Sequence, residues 1–371
     1  MKRILWIGEV FEDKDVYVEK AISLAANRWQ LGFITSLRNY CDSFVYILGR
    51  LPRQTFPKGK LFSPKKSFLE RKIKGKYFGY LNIYGIRNII FRRKYYNKVK
   101  SLLKNNEPFD FIIVYNLEPY LFKTLLYIKK KKNIPIYAMI ADIYKGNLRG
   151  YHKLAKLCDK IFYLSYGFYK ESNHPHAYFF EGGFEKYKIN MKPQPKKKVL
   201  LYTGSLGPHG GIDVLLDGFV LVKNIDAELW ICGKGKNEKL AKLVNQYSNI
   251  KYFGVVSEEK LQLISNKVYA FVNPRPPDFK ENNYNFPSKI LEYFSYQKII
   301  ISTKTKGLSP EYDQALEYIE ELTPKKIAET IERILNFNDA EYSKKIDMQK
   351  IISSSKLWEN QIEEFLNIIK I

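Results

Sequence analysis

Asn285-Phe286-Pro287-Ser288-Lys289-Ile290-Leu291-Glu292-Tyr293-Phe294 follows the strand-like run Val268 to Asn273 and the loop Pro274 to Tyr284. A second apolar run, Ile299 to Ser302, comes after it. That order predicts strand, loop, helix and strand, the repeating unit of a parallel α/β sheet. Pro287 suits the first helical position, because its missing N–H would have no partner there and its φ is already helical. Ser288 and Lys289 then fall in the first turn, where unpaired amides and the positive end of the dipole attract an anion. Glu292, three residues beyond Lys289, emerges on the same side of the helix. A cation, free amides and a carboxylate one turn deeper suit a nucleotide diphosphate with its ribose alongside. An ordinary helix start with a structural Lys–Glu pair would read the same way.

Working outward, the second half alternates. Val199 to Thr203 reads as a buried strand, followed by a helix from Gly211, strand Ala227–Cys232, a helix from Asn237, strand Ile250–Phe253 and a helix from Glu258. Strand Ile299–Thr303, another near Leu316–Ile319, and helices near Lys325–Leu335 and Asp339–Ile369 complete it. Strands alternating with helices of this length imply a doubly wound parallel sheet. The first half offers strands at Ile4–Ile7, Phe44–Leu48, Phe109–Tyr115, Ile136–Ile140 and Lys160–Leu164, a helix through Val18 to Leu31, and a basic amphipathic helix from Asn88 to Leu103. Residues 51–85 read as a basic excursion from the sheet. The polar, proline-bearing run Tyr187 to Lys198 reads as a hinge. The expected division is a first domain over 1–190, a linker over 191–198, a second domain over 199–345 and a closing helical segment over 346–371.

Length and composition bound the rest. The chain's 371 residues fit two domains, and with 45% hydrophobic residues both can bury real cores. No apolar run approaches the ~18 residues of a membrane span. The apolar core of Met1 to Glu9 is too short for a signal peptide and reads as a first strand. Cys41, Cys158 and Cys232 form neither a metal spacing nor an even disulfide set, and the four histidines are scattered. A soluble cytoplasmic protein without a metal site is expected. Residues 1–190 carry 36 Lys and Arg against 15 Asp and Glu, a net of +21, while residues 191–371 carry 26 against 23, a net of +3. The excess gathers in Lys58–Lys76, Arg92–Lys104 and Lys129–Lys132, among Phe62, Phe68, Tyr77, Phe78, Tyr80, Tyr84, Tyr95 and Tyr96. Basic residues mixed with aromatics suit an anionic lipid surface or nucleic acid, or form a solvated face over core aromatics.

Between its strand and helix, Tyr202-Thr203-Gly204-Ser205-Leu206-Gly207-Pro208-His209-Gly210-Gly211 lets backbone approach a ligand closely and points a helix start at phosphate. It has neither the dinucleotide-binding nor the Walker spacing. Arg275, after the strand ending at Asn273, sits at the carboxyl edge where open α/β sheets bind ligands, and its guanidinium can hold phosphate oxygens in pairs.

Phe286 to Phe294, with Gly204-Ser205-Leu206 and Gly210-Gly211-Ile212-Asp213 upstream, resembles glycosyltransferase family 4, the nucleotide-sugar enzymes of the two-domain GT-B fold, most clearly over 199–312. The resemblance implies two Rossmann-like doubly wound domains facing a central cleft, the closing helix crossing back to the first. It implies sugar transfer from a nucleotide diphosphate donor to a hydroxyl acceptor, with retention and without a metal or other cofactor. Where relatives place Arg and Lys on the donor diphosphate, this chain has Ser205 and Gly210, with His209 beside the second, so Lys289 and Arg275 are expected to supply the charge. Glu292 matches the second glutamate of the Glu-x7-Glu motif, which contacts ribose. The first falls on Tyr284, with Glu281, Asn282, Asn283 and Asn285 as nearby alternatives. Gly233 and Lys234, and Val255 through its backbone, match positions lining the nucleotide site. Asp142 matches the Asp of an acceptor-facing His-Asp pair whose histidine is Ala141 here.

The expected partners are a nucleotide-sugar donor, a lipid-linked or growing glycan acceptor, and the anionic inner face of the membrane, met by the basic first half; nucleic acid is not favoured. The rival readings are a nucleotide-sugar epimerase on the same fold and a basic nucleic-acid-binding protein.

Overall fold

The computed structural model describes residues 1–11, 23–70, 73–104, 109–143, 148–188 and 198–370. The chain divides into two units, Met1–Gly183 with Gln361–Ile371 (unit 1) and Phe184–Asn360 (unit 2). The strands of unit 1 are β1 (Lys2–Ile7), β2 (Ser43–Gly49), β3 (Phe62–Ser63), β4 (Lys66–Glu70), β5 (Ile73–Tyr77), β6 (Tyr80–Leu81), β7 (Phe111–Tyr115), β8 (Ile136–Ile140), β9 (Lys160–Tyr163) and β10 (Ala177–Phe179). Eight of them form one sheet in the order β10-β9-β8-β7-β1-β2-β5-β4, while β3 and β6 form a separate short ribbon. All pairs in the large sheet are parallel except β4 against β5 at the edge.

The expectation that 51–85 lies outside the sheet is corrected here, because β5 pairs with β2 from Val45↔Ile73 to Gly49↔Tyr77. Its residues alternate buried and exposed, Ile73, Gly75 and Tyr77 inward with Lys74 and Lys76 outward. The alternating lysines hid a period-two strand. The helix Ile86–Lys104 buries Phe91, Tyr95, Val99, Leu102 and Leu103, an apolar stripe at helical spacing that faces the core. Among the aromatics of the basic clusters, Tyr77, Tyr80 and Tyr95 are core residues, whereas Phe62 and Tyr84 are exposed. Phe365 lies within unit 1, its ring 5.0 Å from Phe33 and 5.1 Å from Phe162.

Unit 2 contains β11 (Lys198–Ser205), β12 (Ala227–Lys234), β13 (Ile250–Gly254), β14 (Ala270–Asn273), β15 (Ile299–Thr303) and β16 (Glu317–Ile319). They form one wholly parallel sheet in the order β13-β12-β11-β14-β15-β16. Successive side chains on a strand point to opposite faces, and both faces are buried. Leu200, Tyr202, Ala270, Val272 and Ile301 join one core. Val199, Leu201, Phe271 and Ile300 join the other. Strands covered on both faces read as unbroken apolar runs, which is why they were visible in the sequence.

Phe184 to Lys188 fall in unit 2. Phe184 N donates to Lys356 O at 3.0 Å and Lys188 N to Ser295 O at 2.7 Å. Of the hinge expected over Tyr187 to Lys198, Tyr187 and Lys188 belong to unit 2 and Lys198 opens β11, while 189–197 lie outside the described residues. The C-terminal segment forms three helices, Pro324–Leu335, Asp339–Ser354 and Trp358–Ile369, and the last supplies Gln361 onward to unit 1. Among the described residues no helix is long and apolar enough to cross a membrane.

Candidate functional site

In unit 2 the chain moves from β11 outward to β12 and β13, then returns to the other side of β11 as β14. Ligands bind at such a reversal, outside the carboxyl ends of the strands. The Gly-rich loop after β11, the loop after β14 and the helix Lys289–Phe294 all gather there.

The helix begins two residues later than Pro287, with Ser288 as its cap, and Ser288 makes no side-chain capping bond. Two early amides are already taken, Ser288 N by Phe286 O and Ile290 N by Pro287 O, both at 2.9 Å. The expected set of free amides is therefore corrected, since a tight turn absorbs part of it. Lys289 reaches across to the end of β11, where its Nζ donates to Thr203 O and, at 3.0 Å, to Thr203 Oγ1. Thr203 Oγ1 also lies 2.8 Å from Tyr293 Oη, and the Tyr293 ring stacks on Phe271 at 4.2 Å between centroids. Lys289, Thr203 and Tyr293 thus tie the helix to the Gly-rich loop. The charge of Lys289 is felt next door at the Cys232 thiol, which burial pushes up to about 11 while Lys260 and Lys289 pull it down. Glu292 is half-buried one turn on, and Ser288 is exposed.

Arg275 is half-buried and bonded, Nη2 at 2.7 Å and Nε at 3.3 Å from Asn282 Oδ1. Asn282, only 3% exposed, donates through Nδ2 to His209 O at 2.9 Å and Pro276 O at 3.1 Å. One amide side chain therefore joins the Gly-rich loop, the Pro-rich loop and the guanidinium. His209 itself is exposed, its ring 4.3 Å from that of Phe279. Tyr284, at the position of the first motif glutamate, is half-buried with Lys306 Nζ 3.2 Å from its hydroxyl.

Inside the Gly-rich loop, Tyr202 Oη donates to Ser205 O at 2.5 Å, and Ser205 Oγ accepts from Gly207 N at 3.2 Å. Burial raises the Tyr202 hydroxyl above its ordinary pKa, while the charge of Arg275 pulls it down. A side chain at Gly210 would run into Tyr202 Oη and Ser205 O, and one at Gly233 into the carbonyl of Gly204. Gly233 is thus required for the close approach of β11 and β12. Lys234, the last residue of β12, and Val255, just beyond β13, are both exposed.

In unit 1, Asp142 follows β8 and is exposed, with its amide 3.2 Å from Asn116 Oδ1. It lines a cavity of about 200 Å³ over the carboxyl ends of β8, β7, β1 and β2, together with Glu9, Arg50, Asn116, Glu118 and Tyr120. Arg50 pairs with Glu9 at 2.6 Å, and its guanidinium lies 4.4 Å over the Phe91 ring. Burial pushes the Glu118 carboxyl above its ordinary pKa, and Arg50 pulls it down. Among the described residues no group of three or more His, Cys, Asp or Glu is placed to hold a metal ion.

Two largely parallel, doubly wound sheets in two units give the chain the GT-B fold of glycosyltransferases. In unit 2, residues 197–336, taking in all six strands of that sheet, match the Glycosyl transferases group 1 model. A glycosyltransferase from Rickettsia africae is similar at TM-score 0.73 and 14% identity, over 100% of this chain and 98% of that one. A trehalose-6-phosphate protein from E. coli, bound with UDP-2-fluoro glucose, is similar at TM-score 0.69 and 11% identity, over 100% and 99%. A lipopolysaccharide outer core galactosyltransferase is similar at TM-score 0.66 and 16% identity, over 99% of each chain. No curated protein matches the chain by sequence.

Thr203, Tyr202 and the bridging role of Asn282 escaped sequence reasoning. Their partners lie between 3 and 90 residues away along the chain. The one local signal was a polar residue, Thr203, between a buried strand and a glycine.

Proposed function

We propose that this chain transfers a sugar from a nucleotide diphosphate donor, held by unit 2, to a hydroxyl acceptor, held by unit 1, with retention at the anomeric carbon and without a metal. The observation that carries the reading is the family match over 197–336, laid on a parallel sheet whose Gly-rich loop and Lys289–Phe294 helix meet at the strand reversal. The UDP-2-fluoro glucose of the E. coli relative supports a nucleotide-sugar donor. In this reading Arg275 and Lys289 stabilise the leaving diphosphate, the chief electrostatic task in such a transfer. Glu292 holds the ribose, while Gly204, Ser205, His209, Gly210, Gly233, Lys234, Val255 and Ser288 shape the donor pocket. Asp142 is the candidate catalytic group on the acceptor side.

The acceptor is a lipid-linked or growing glycan met at the inner face of the membrane. The uneven charge supports this, as do exposed Phe62 and Tyr84 within the basic half, and one relative acts on the lipopolysaccharide outer core. Anionic lipid attracts each nearby basic side chain by roughly 1 kcal/mol, which is screened by salt.

The deciding experiment is calorimetry or thermal shift with a panel of UDP- and GDP-sugars, repeated with EDTA. Stabilisation by at least one donor, unchanged by EDTA, is expected, and indifference to every donor would sink the proposal. The full chain is also expected to sediment with phosphatidylglycerol vesicles and to be released at high salt. Tight RNA or DNA binding with indifference to vesicles would reverse the membrane reading.

A further inference from the structure

The cavity of unit 1 carries a charge opposite to that of its surroundings. Residues 1–190 have a net charge of +21, yet the charged residues lining the cavity are Arg50 against Glu9, Glu118 and Asp142, three carboxylates to one cation. That cation is already engaged, with Glu9 at 2.6 Å on one side and the Phe91 ring at 4.4 Å on another. Its side chain is only 16% exposed. The cavity lies where the chain reverses direction across the sheet, between β1 and β7, the place where open α/β sheets take ligands. At about 200 Å³ it falls below the size of a drug-like site, roughly 300–1,000 Å³, and has room for a single ring.

We infer that this cavity selects an uncharged or amino sugar as the end of the acceptor that enters it, and turns away sugars bearing a carboxylate or phosphate. Carboxylates accept hydrogen bonds from sugar hydroxyls, and they attract an ammonium group. The same carboxylates repel an anion, and Arg50, paired with Glu9 and acting with Arg87 on Glu118, offsets them only in part, because three carboxylates line the cavity against one cation. Asn116 adds a neutral amide at the rim, and Tyr120 an aromatic wall. Any phosphate that an acceptor carries then stays outside the cavity, among the lysines of the basic surface. The acceptor thus enters sugar first. Calling the occupant an acceptor rests on the proposed transfer reaction, whereas its charge class rests on the cavity alone.

The test uses the full chain and four probes: methyl glucoside, methyl glucosaminide, methyl glucuronide and glucose 6-phosphate, titrated by ligand-observed NMR. The two uncharged or amino probes are expected to bind in the millimolar range, and the two anionic probes at least several-fold more weakly. Ala26, a half-buried residue of the cavity wall, allows the site to be blocked, so Ala26→Phe is expected to abolish binding of the favoured probes. Glu118→Gln is expected to narrow the discrimination roughly two- to fivefold, the range for charge interactions at partly exposed groups. Anionic probes binding as well as neutral ones, persistence of binding in Ala26→Phe, or no binding by any probe would each overturn the inference. Nucleotide-sugar binding, followed on the same samples by calorimetry, judges the transfer reaction separately. A chain that discriminates among the glycosides but ignores every nucleotide sugar keeps this inference and loses the donor reading.

Discussion

Asn282→Ala is the substitution that most directly tests how the unit 2 site is held together. The native amide makes four contacts from a position 3% exposed: Nδ2 to His209 O and Pro276 O, Oδ1 to Arg275 Nε and Nη2. A neutral hydrogen bond contributes about 0.5–1.5 kcal/mol, and one to a charged group about 1.5–3. Arg275 is half-buried and regains some water when released, so the sum is discounted to a loss of roughly 2–4 kcal/mol. For a unit of this size that lowers the melting temperature by roughly 5–12 °C, measurable by differential scanning calorimetry. Asn282→Asp separates the two halves of the contact. Aspartate keeps an acceptor for Arg275 but turns an oxygen toward two carbonyls. If tying the loops together is the main role, Asp behaves like Ala; if holding Arg275 is, Asp matches the native protein. The new carboxylate oxygen would face the His209 and Pro276 carbonyls and be repelled by both, so Asp is expected to resemble Ala. A loss below about 0.5 kcal/mol for Asn282→Ala, the scale of an indifferent surface change, would refute this reasoning.

Glu292→Gln is expected to weaken donor binding by roughly 1–3 kcal/mol, and unchanged affinity with an intact fold would remove it from the ribose. Lys289→Ala and Arg275→Ala are each expected to weaken a nucleoside diphosphate far more than the free nucleoside, since charge-assisted contacts go to phosphate; equal losses would place both residues off the diphosphate. Lys289→Ala also removes the donor from Thr203, so its melting temperature should fall even without nucleotide. Burial lowers the Lys298 pKa, so unfolding takes up a proton between its folded and unfolded values, and the native state gains stability as pH rises through that window. Lys298→Met is therefore expected to stabilise the protein at neutral pH, with the gain shrinking as pH climbs toward about 10.4; a gain that grows with pH would contradict the sign.

The sheet of unit 2 was readable because its strands are buried on both faces. Val199 to Thr203 and Ile299 to Thr303 open on apolar runs bounded by polar loops; β15 keeps its expected bounds, and β11 gains one residue at its start and two at its end. In unit 1 the failure falls where charge masks burial. β5 alternates lysine with Ile73, Gly75 and Tyr77, so its composition resembles a basic loop although its period is that of a strand. The basic helix is amphipathic as its periodicity indicates, and Phe91, Tyr95 and Val99 put its apolar stripe in the core beneath a basic outer face. Lysine content reports on the exposed face of an element and says little about what its other face covers.

The site shows a second limit, set by distance along the chain. Ser205 and Gly210 could be seen to lack the cations that the family resemblance places there, but the reason needs the folded loop. The hydroxyl of Tyr202 bonds Ser205 O and occupies the space a side chain at Gly210 would enter. A lysine at 210 and a tyrosine at 202 therefore exclude each other in this loop conformation. In this loop the Tyr202 hydroxyl fills space that a lysine stem at 210 would cross. Arg275, close enough to Tyr202 to pull its pKa down, brings positive charge to the same loop from the neighbouring strand end. Asn282 sets where that charge lies, and Thr203 does the same for Lys289. The oxygens that place them include a carbonyl, a hydroxyl and an amide, neutral groups that leave the charge in place. A carboxylate in place of those oxygens would cancel charge on which the proposed diphosphate contact depends.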